Sequence, residues 1–168
     1  PAPRPGADVA VVLKDKQALI VDGEGLKFKP LTGCALQATG PSEVQFSKAK
    51  VLHAVKDGAA YEKILARIRI YTASLLVGVA RASFEYAMKY AQERTTFGKP
   101  IAHHQAIAFY IAEMAMAVDA ARLAVWRAVH QLNIGQQVGW HAAAAYQEAA
   151  QQSRFVTDWG LQILGGHG

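Results

Sequence analysis

The pattern of apolar and polar positions changes period once along the chain, near residue 57. Before that point the runs are short. Val9–Leu13 and Ala18–Val21 are apolar and flank the turn-like Lys14-Asp15-Lys16. Leu26-Lys27-Phe28-Lys29 and Glu43-Val44-Gln45-Phe46 alternate with period two, as half-buried strands do. Asp22-Gly23-Glu24-Gly25 and Thr39-Gly40-Pro41-Ser42 supply turn chemistry between them. Four short strands are too few to cover a sheet on both faces, so residues 1–57 are expected to be part of a β domain.

From Gly58 onward the apolar residues recur at three- and four-residue steps. Ile64, Ile68, Thr72 and Leu75, spaced for one buried face, predict a helix from Ala60 to Glu93. Thr95-Thr96-Phe97-Gly98-Lys99-Pro100 should break it, because Gly98 favours a left-handed cap and Pro100 cannot continue a helix. Ile107, Ile111, Met114, Val118 and Ala121 predict a second helix over His103–Leu132, stopped by Asn133-Ile134-Gly135. A third should run from Val138 to Leu164 and end at Gly165-Gly166. Each would be about 40–50 Å long at 1.5 Å per residue. Three such helices joined by short turns imply an antiparallel bundle, one helix short of four, with the fourth expected beyond Gly168. The expected fold is therefore α+β and mainly α: a partial β domain over 1–57, then a helical-bundle domain over 58–168.

Composition narrows the possibilities. With 52% apolar and 18% charged residues, the 168-residue chain can bury a core and is not of the disordered class. The net charge of +5 is spread out: residues 1–57 carry 8 basic and 6 acidic groups, residues 58–168 carry 10 and 7. A nucleic-acid footprint clusters in a patch or stripe, and none is visible. The longest uncharged apolar run, Ile70 to Ala80, has 11 residues and is too short to span a bilayer. Cys34 is the one cysteine, so an internal disulfide is excluded and a reducing compartment is expected: the cytoplasm, or the mitochondrial matrix in a eukaryote. The chain opens Pro1-Ala2-Pro3 without Met and stops at Gly-Gly-His-Gly, and both ends are expected to be cuts through a longer polypeptide.

Two segments could carry chemistry. Glu93-Arg94-Thr95-Thr96-Phe97-Gly98-Lys99 sets an Arg beside hydroxyls, an aromatic ring and a glycine. Arg offers a bidentate fork to phosphate oxygens and Thr hydroxyls can donate to them, although a capped turn with a surface Arg is the simpler reading of these residues alone. Gln162-Ile163-Leu164-Gly165-Gly166-His167-Gly168 permits close approach of a ligand, but Gly after a helix is also the ordinary C-cap. It is not a P-loop, since no Gly-Lys-Ser/Thr follows. His103 and His104 should point to different faces of one helix with no ligand partner four residues away, so no metal site is expected. No nucleophile elbow or partnered Cys supports hydrolysis. Glu85, Glu113 and Glu148 sit singly on helices and are expected to be solvated.

Taken in order, these segments resemble the acyl-CoA dehydrogenase family over nearly all of residues 60–168. The matching residues are Gly78-Val79-Ala80-Arg81, then Tyr90-Ala91-Gln92-Glu93-Arg94-Thr95-Thr96-Phe97-Gly98-Lys99-Pro100-Ile101. His104-Gln105-Ala106-Ile107, Ala112-Glu113-Met114 and the run from Gln162 to Gly168 follow. The resemblance implies a flavoprotein that uses FAD to convert an acyl-CoA thioester to a trans-2-enoyl-CoA. A carboxylate removes the α-proton, and an electron-transfer flavoprotein takes the electrons. It also implies a homo-oligomer built as a dimer of dimers, or a hetero-oligomer with a related subunit. By the same resemblance Arg94, Thr96 and Phe97 contact FAD of a neighbouring subunit, with the Arg at the pyrophosphate. Ile101, His104 and Gln105 match a further part of the dinucleotide site, and Gln162, Gly165 and Gly166 lie in the loop at its phosphate and adenosine end. Arg69 matches an Arg near the reacting thioester.

The resemblance departs at the catalytic base. The usual Glu follows the Gly-Gly-x-Gly segment and would lie beyond Gly168. Some members carry it on the first helix, at the position held here by Ile68, which cannot accept a proton. Glu62 lies six residues earlier, about 9 Å along the helix and turned by about 240°. Gly33-Cys34-Ala35-Leu36 also lacks the Arg that members often carry after this Gly. Two other readings follow: a non-catalytic partner subunit that keeps the cofactor contacts, and a cofactor-free helical interaction module.

Overall fold

The computed structural model describes residues 7–31 and 42–168. Cys34, the Gly33–Leu36 stretch and most of the expected turn at 39–42 lie outside these. The chain divides into two compact units, Pro1–Glu62 and Lys63–Gly168, a division one turn inside the first helix.

In the first unit, β1 (Val9–Lys14) and β2 (Gln17–Asp22) form a hairpin. Its two turn residues, Asp15 and Lys16, both have positive φ, which matches the right-handed twist of the flanking strands. β3 (Leu26–Pro30) pairs antiparallel with β4 (Ser42–Phe46), setting Phe28 opposite Val44. A fifth strand, β5 (Val51–Val55), adds to the edge of β2, with a register shift between Ile20 and Val21. Four strands were expected in this half; the fifth corrects that. Val51-Leu52-His53-Ala54-Val55 has no clean alternation, and its first three residues are exposed. The small core of this unit is Ala10, Val21 and Leu26, with Phe28 and Val44 packed against them.

The second unit is three long helices: α1 (Gly58–Glu93), α2 (Gln105–Asn133) and α3 (Gly139–Leu164). Asp57 starts α1, its carboxylate accepting the Ala59 N–H at 3.0 Å and its carbonyl the Tyr61 N–H at 2.9 Å. Gly135, at φ +73, ends α2. All three helices bury a residue at every seventh position. On α1 these are Ala66, Ala73, Ala80 and Ala87; on α2 Met114, Ala121 and Ala128; on α3 Ala142, Ala149, Val156 and Ile163. The buried face of α1 is not the one expected: Ile68 and Leu75 are 36% and 54% exposed, and alanines with Ile70 face the bundle instead. One core cluster joins the first half of α1 to the end of α2 and the start of α3, and a second joins the other ends. The order is therefore up-down-up, with α1 and α3 running the same way. They approach at Gly160, where a Cβ would run into Ser83 Oγ, which itself donates to the Val156 carbonyl at 3.4 Å.

Surface charges pair along single helices. Arg81 Nε donates to Glu85 Oε1 at 2.7 Å, and that hydrogen bond, then the carboxylate's charge, raises the Arg81 pKa above its usual value. Glu148 accepts from Gln152 Nε2 at 3.0 Å, so Glu85 and Glu148 are not solitary as expected. No described helix is long and apolar enough to cross a membrane.

Candidate functional site at one end of the bundle

The break between α1 and α2 is a miniature hairpin. β6 (Thr95–Thr96) and β7 (Lys99–Pro100) pair antiparallel across a two-residue turn, Phe97-Gly98, with φ of +51 and +79. Gly98 was expected to cap the helix; it is instead the second residue of this turn. The hairpin is closed at its base by the Ile101 N–H, which donates to the Arg94 carbonyl at 2.8 Å. Lys99 Nζ reaches the His103 carbonyl at 3.3 Å and straps the outgoing strand to the next turn.

Ile101–His103 form one turn of 3-10 helix, and His104 is the N-cap of α2 in an extended conformation. The two histidines thus precede the helix, which corrects the expectation that they share it. The His104 N–H donates to the Ile101 carbonyl at 3.0 Å and closes the 3-10 turn, while the His104 carbonyl accepts the first α2 bond from the Ala108 N–H at 3.0 Å. Among the described residues no group of three or more His, Cys, Asp or Glu gathers as a metal site.

Four features of this end suit a ligand. The Arg94 side chain is exposed and no described residue pairs with it. Phe97 is 96% exposed and holds a left-handed backbone, which costs a bulky residue of order 1–3 kcal/mol. His104 Nε2 is buried and has no hydrogen-bond partner. Its ring lies edge-on to Phe97, centroids 6.2 Å apart. At the end of α3, Gly165 has φ +59 and its N–H donates to the Leu161 and Gln162 carbonyls, so glycine is needed for the cap. Gly166 has no such need: a Cβ there would meet nothing within 4 Å.

Because α1 and α3 run in the same direction, the Gln162–Gly168 segment comes to the same end as the hairpin. The Tyr90 and His167 rings are 6.2 Å apart, and Tyr90, Ile101 and Ile163 share one core cluster. Tyr90 and His167 stood in the matching segments without a role; their contact joins the two segments. Thr96 is half-buried, and Gln105 and Gln162 are exposed. Arg69 is not brought here. It is half-buried on α1, 25 residues before Arg94, which is about 37 Å along the helix. Ile68 and Glu62 are both on the surface, and neither faces this end. A groove of about 270 Å³ between α1 and α2, rimmed by Arg81, Glu85, Asp119 and Arg122, is also remote from it.

Residues 57–168 match the family model described as acyl-CoA dehydrogenase, C-terminal domain. The chain belongs to the acyl-CoA dehydrogenase family. It is 32% identical over 170 residues to a 3-(aryl)acrylate reductase of Clostridium sporogenes, covering 96% of this chain and 45% of that protein. Butyryl-CoA dehydrogenase of Megasphaera elsdenii superposes with a TM-score of 0.79 at 28% identity, over 95% of this chain and 45% of that one. A glutaryl-coenzyme A dehydrogenase solved with glutaryl-CoA gives 0.83 at 30% identity, over 97% and 46%. The chain spans less than half the length of these acyl-CoA dehydrogenase relatives. The family is one of flavin oxidoreductases.

Phe97→Asn tests whether the tip ring supports the hairpin. It would create the dipeptide most at ease in this turn, and the exposed ring buries almost nothing. Stability is expected to rise by up to about 1 kcal/mol. Thermal melts check this; a fall in stability would mean that the ring supports the hairpin.

Proposed function

We propose that the full-length protein is an FAD-dependent enzyme that interconverts an acyl-CoA thioester and its trans-2-enoyl-CoA, with an electron-transfer flavoprotein as redox partner. The reading rests on one observation above all. Two segments some sixty residues apart meet at one end of the bundle and present an unpaired guanidinium, an uncovered aromatic ring and an unconstrained glycine.

These residues fit a dinucleotide. The Arg94 fork and the Thr96 hydroxyl suit the pyrophosphate, Phe97 a ring face, and the orphaned His104 Nε2 a polar group from outside the chain. Ile101 and Gln105 would flank the same stretch. Gln162, Gly165 and Gly166 would let the phosphate and adenosine end come close to the backbone. When bound, FAD supplies the acceptor for a hydride from the β-carbon. The separation of about 37 Å between Arg94 and Arg69 suits two different sites: Arg94 serving a neighbouring subunit's cofactor, Arg69 facing the thioester of its own. Ile68 cannot take the α-proton, so we assign that step to a carboxylate outside residues 1–168.

The test uses purified full-length protein under anaerobic conditions. Visible flavin absorption that bleaches on addition of an acyl-CoA supports the reading. A protein that takes up no FAD overturns it. Bound flavin that no acyl-CoA bleaches, and no enoyl-CoA reoxidises after chemical reduction, favours the partner-subunit role instead.

A further inference from the structure

Lys99 is the charged residue of the hairpin that the site has not used. In the second half of α1 each cation has a carboxylate four residues ahead: Arg81 reaches Glu85 at 2.7 Å and Lys89 reaches Glu93 at 3.9 Å. The hairpin breaks that rule. From Arg94 to His104 the chain has one Arg and one Lys, Arg94 and Lys99, and no Asp or Glu. Both side chains are exposed, and no described carboxylate pairs with either. The register brings them to one side. Thr96 pairs directly with Lys99, so those two side chains share a face. Arg94 stands two residues before Thr96, and the bond from the Ile101 N–H to its carbonyl continues the ladder, so Arg94 shares that face as well.

The Lys99 ammonium is held 3.3 Å from the His103 carbonyl, one residue before the orphaned imidazole of His104. Closing the hairpin does not require this bond. His103 is exposed, so water can satisfy its carbonyl, and the Ile101 N–H already closes the base. We propose that Lys99 is a second cation of the dinucleotide site, leaving the His103 carbonyl for one phosphate of the pyrophosphate while Arg94 takes the other. The inference rests on the FAD reading and adds a residue to it. A pyrophosphate diester bears a negative charge on each phosphate, and Arg94 alone balances one of them. The flexible four-carbon stem of a lysine lets its ammonium exchange partners while the hairpin stays in place.

The test is FAD retention by the full-length protein over a range of salt. Lys99→Gln keeps a donor of nearly the same reach for the His103 carbonyl and removes the charge. Lys99→Arg keeps the charge. Replacing a charged hydrogen bond to phosphate by a neutral one should weaken retention about fivefold at low salt. Salt at roughly 0.5 M screens the attraction, so wild type and Lys99→Gln should converge there. Lys99→Arg should remain within about twofold of wild type throughout. Circular dichroism and thermal melts check that the fold is intact.

Wild-type protein that takes up no FAD would overturn the cofactor reading and this inference together. Wild type that holds FAD, with Lys99→Gln holding it equally well at low salt, would overturn this inference alone. A loss in Lys99→Gln that salt does not remove, or an equal loss in Lys99→Arg, would make Lys99 a strap of the hairpin and nothing more.

Discussion

Arg94→Ala in the full-length protein is expected to weaken FAD retention about 10- to 150-fold. A charged hydrogen bond to phosphate contributes about 1.5–3 kcal/mol, and each 1.4 kcal/mol is a factor of ten. Arg94 is exposed and has no partner among the described residues, so its loss leaves nothing buried and unpaired. The fold should be untouched. Its backbone N–H still donates to the Tyr90 carbonyl, and its carbonyl still closes the hairpin through the Ile101 N–H. Arg94→Lys should recover only part of the loss, because an ammonium keeps the charge without the planar fork. Arg154 is the control: it is a surface cation 3.9 Å from Asp158, in no matching segment. Flavin release on dilution, with circular dichroism for the fold, decides the matter. Equal retention by Arg94→Ala and Arg154→Ala would make Arg94 an ordinary surface residue.

Met114→Ala should have the largest effect on stability. Met114 is fully buried beneath the hairpin end, in the cluster that contains Ala80, Ala87, Val118, Val156 and Ile163. Removing a buried side chain of this size costs about 2–5 kcal/mol, transfer and cavity together. That is a large part of the 5–15 kcal/mol typical of a whole domain. Met114→Leu nearly conserves volume and should cost less than about 1.5 kcal/mol. Trp159, stacked on Tyr110 with ring centroids 3.2 Å apart, reports unfolding of this end by fluorescence in a urea titration. A midpoint for Met114→Ala equal to that of Met114→Leu would mean that this layer does not hold the bundle.

The long helices were legible because apolar residues recur at helical steps over 26 residues or more, which averages out any single misleading position. The buried face of α1 was not legible, because alanines fill it while the larger Ile68 and Leu75 are exposed. The predicted and observed ends differ by two residues at most. Short elements have no such averaging. β5 has five residues, three of them exposed, directly before the helix, and its neighbour β2 lies nearly thirty residues earlier. The β6–β7 hairpin has two residues per strand and a turn whose first residue is Phe, where Asn, Asp or Gly is the usual signal. The candidate site divides in the same way. That two distant segments share one end follows from three antiparallel helices and is readable from helix lengths alone. That Arg94 or Gln162 would touch a dinucleotide is not: the residues by themselves also suit a capped turn, and the assignment came from the resemblance. His104 Nε2 could not be found from sequence, because burial without a partner is a property of the packed end.

The buried alanines of α1 repeat every seven residues, at 66, 73, 80 and 87. A helix with identical small residues at a fixed interval does not by itself define its axial position. Sliding α1 by one repeat, about 10 Å, would still set alanine where alanine was along most of this face, with the buried Ile70 the exception. The opposing helices remove the ambiguity. Along α3 the buried series grows from Ala142 and Ala149 to Val156 and Ile163, and α2 grows from Ala128 and Ala121 to Met114 in the same spatial direction. Ser83 adds a single fixed mark, since its hydroxyl fits only opposite the bare backbone of Gly160. The hairpin is carried on the end of α1, so this mark sets how far Arg94 projects beyond the bundle. A shift of one repeat would move the guanidinium by about the width of a whole helix.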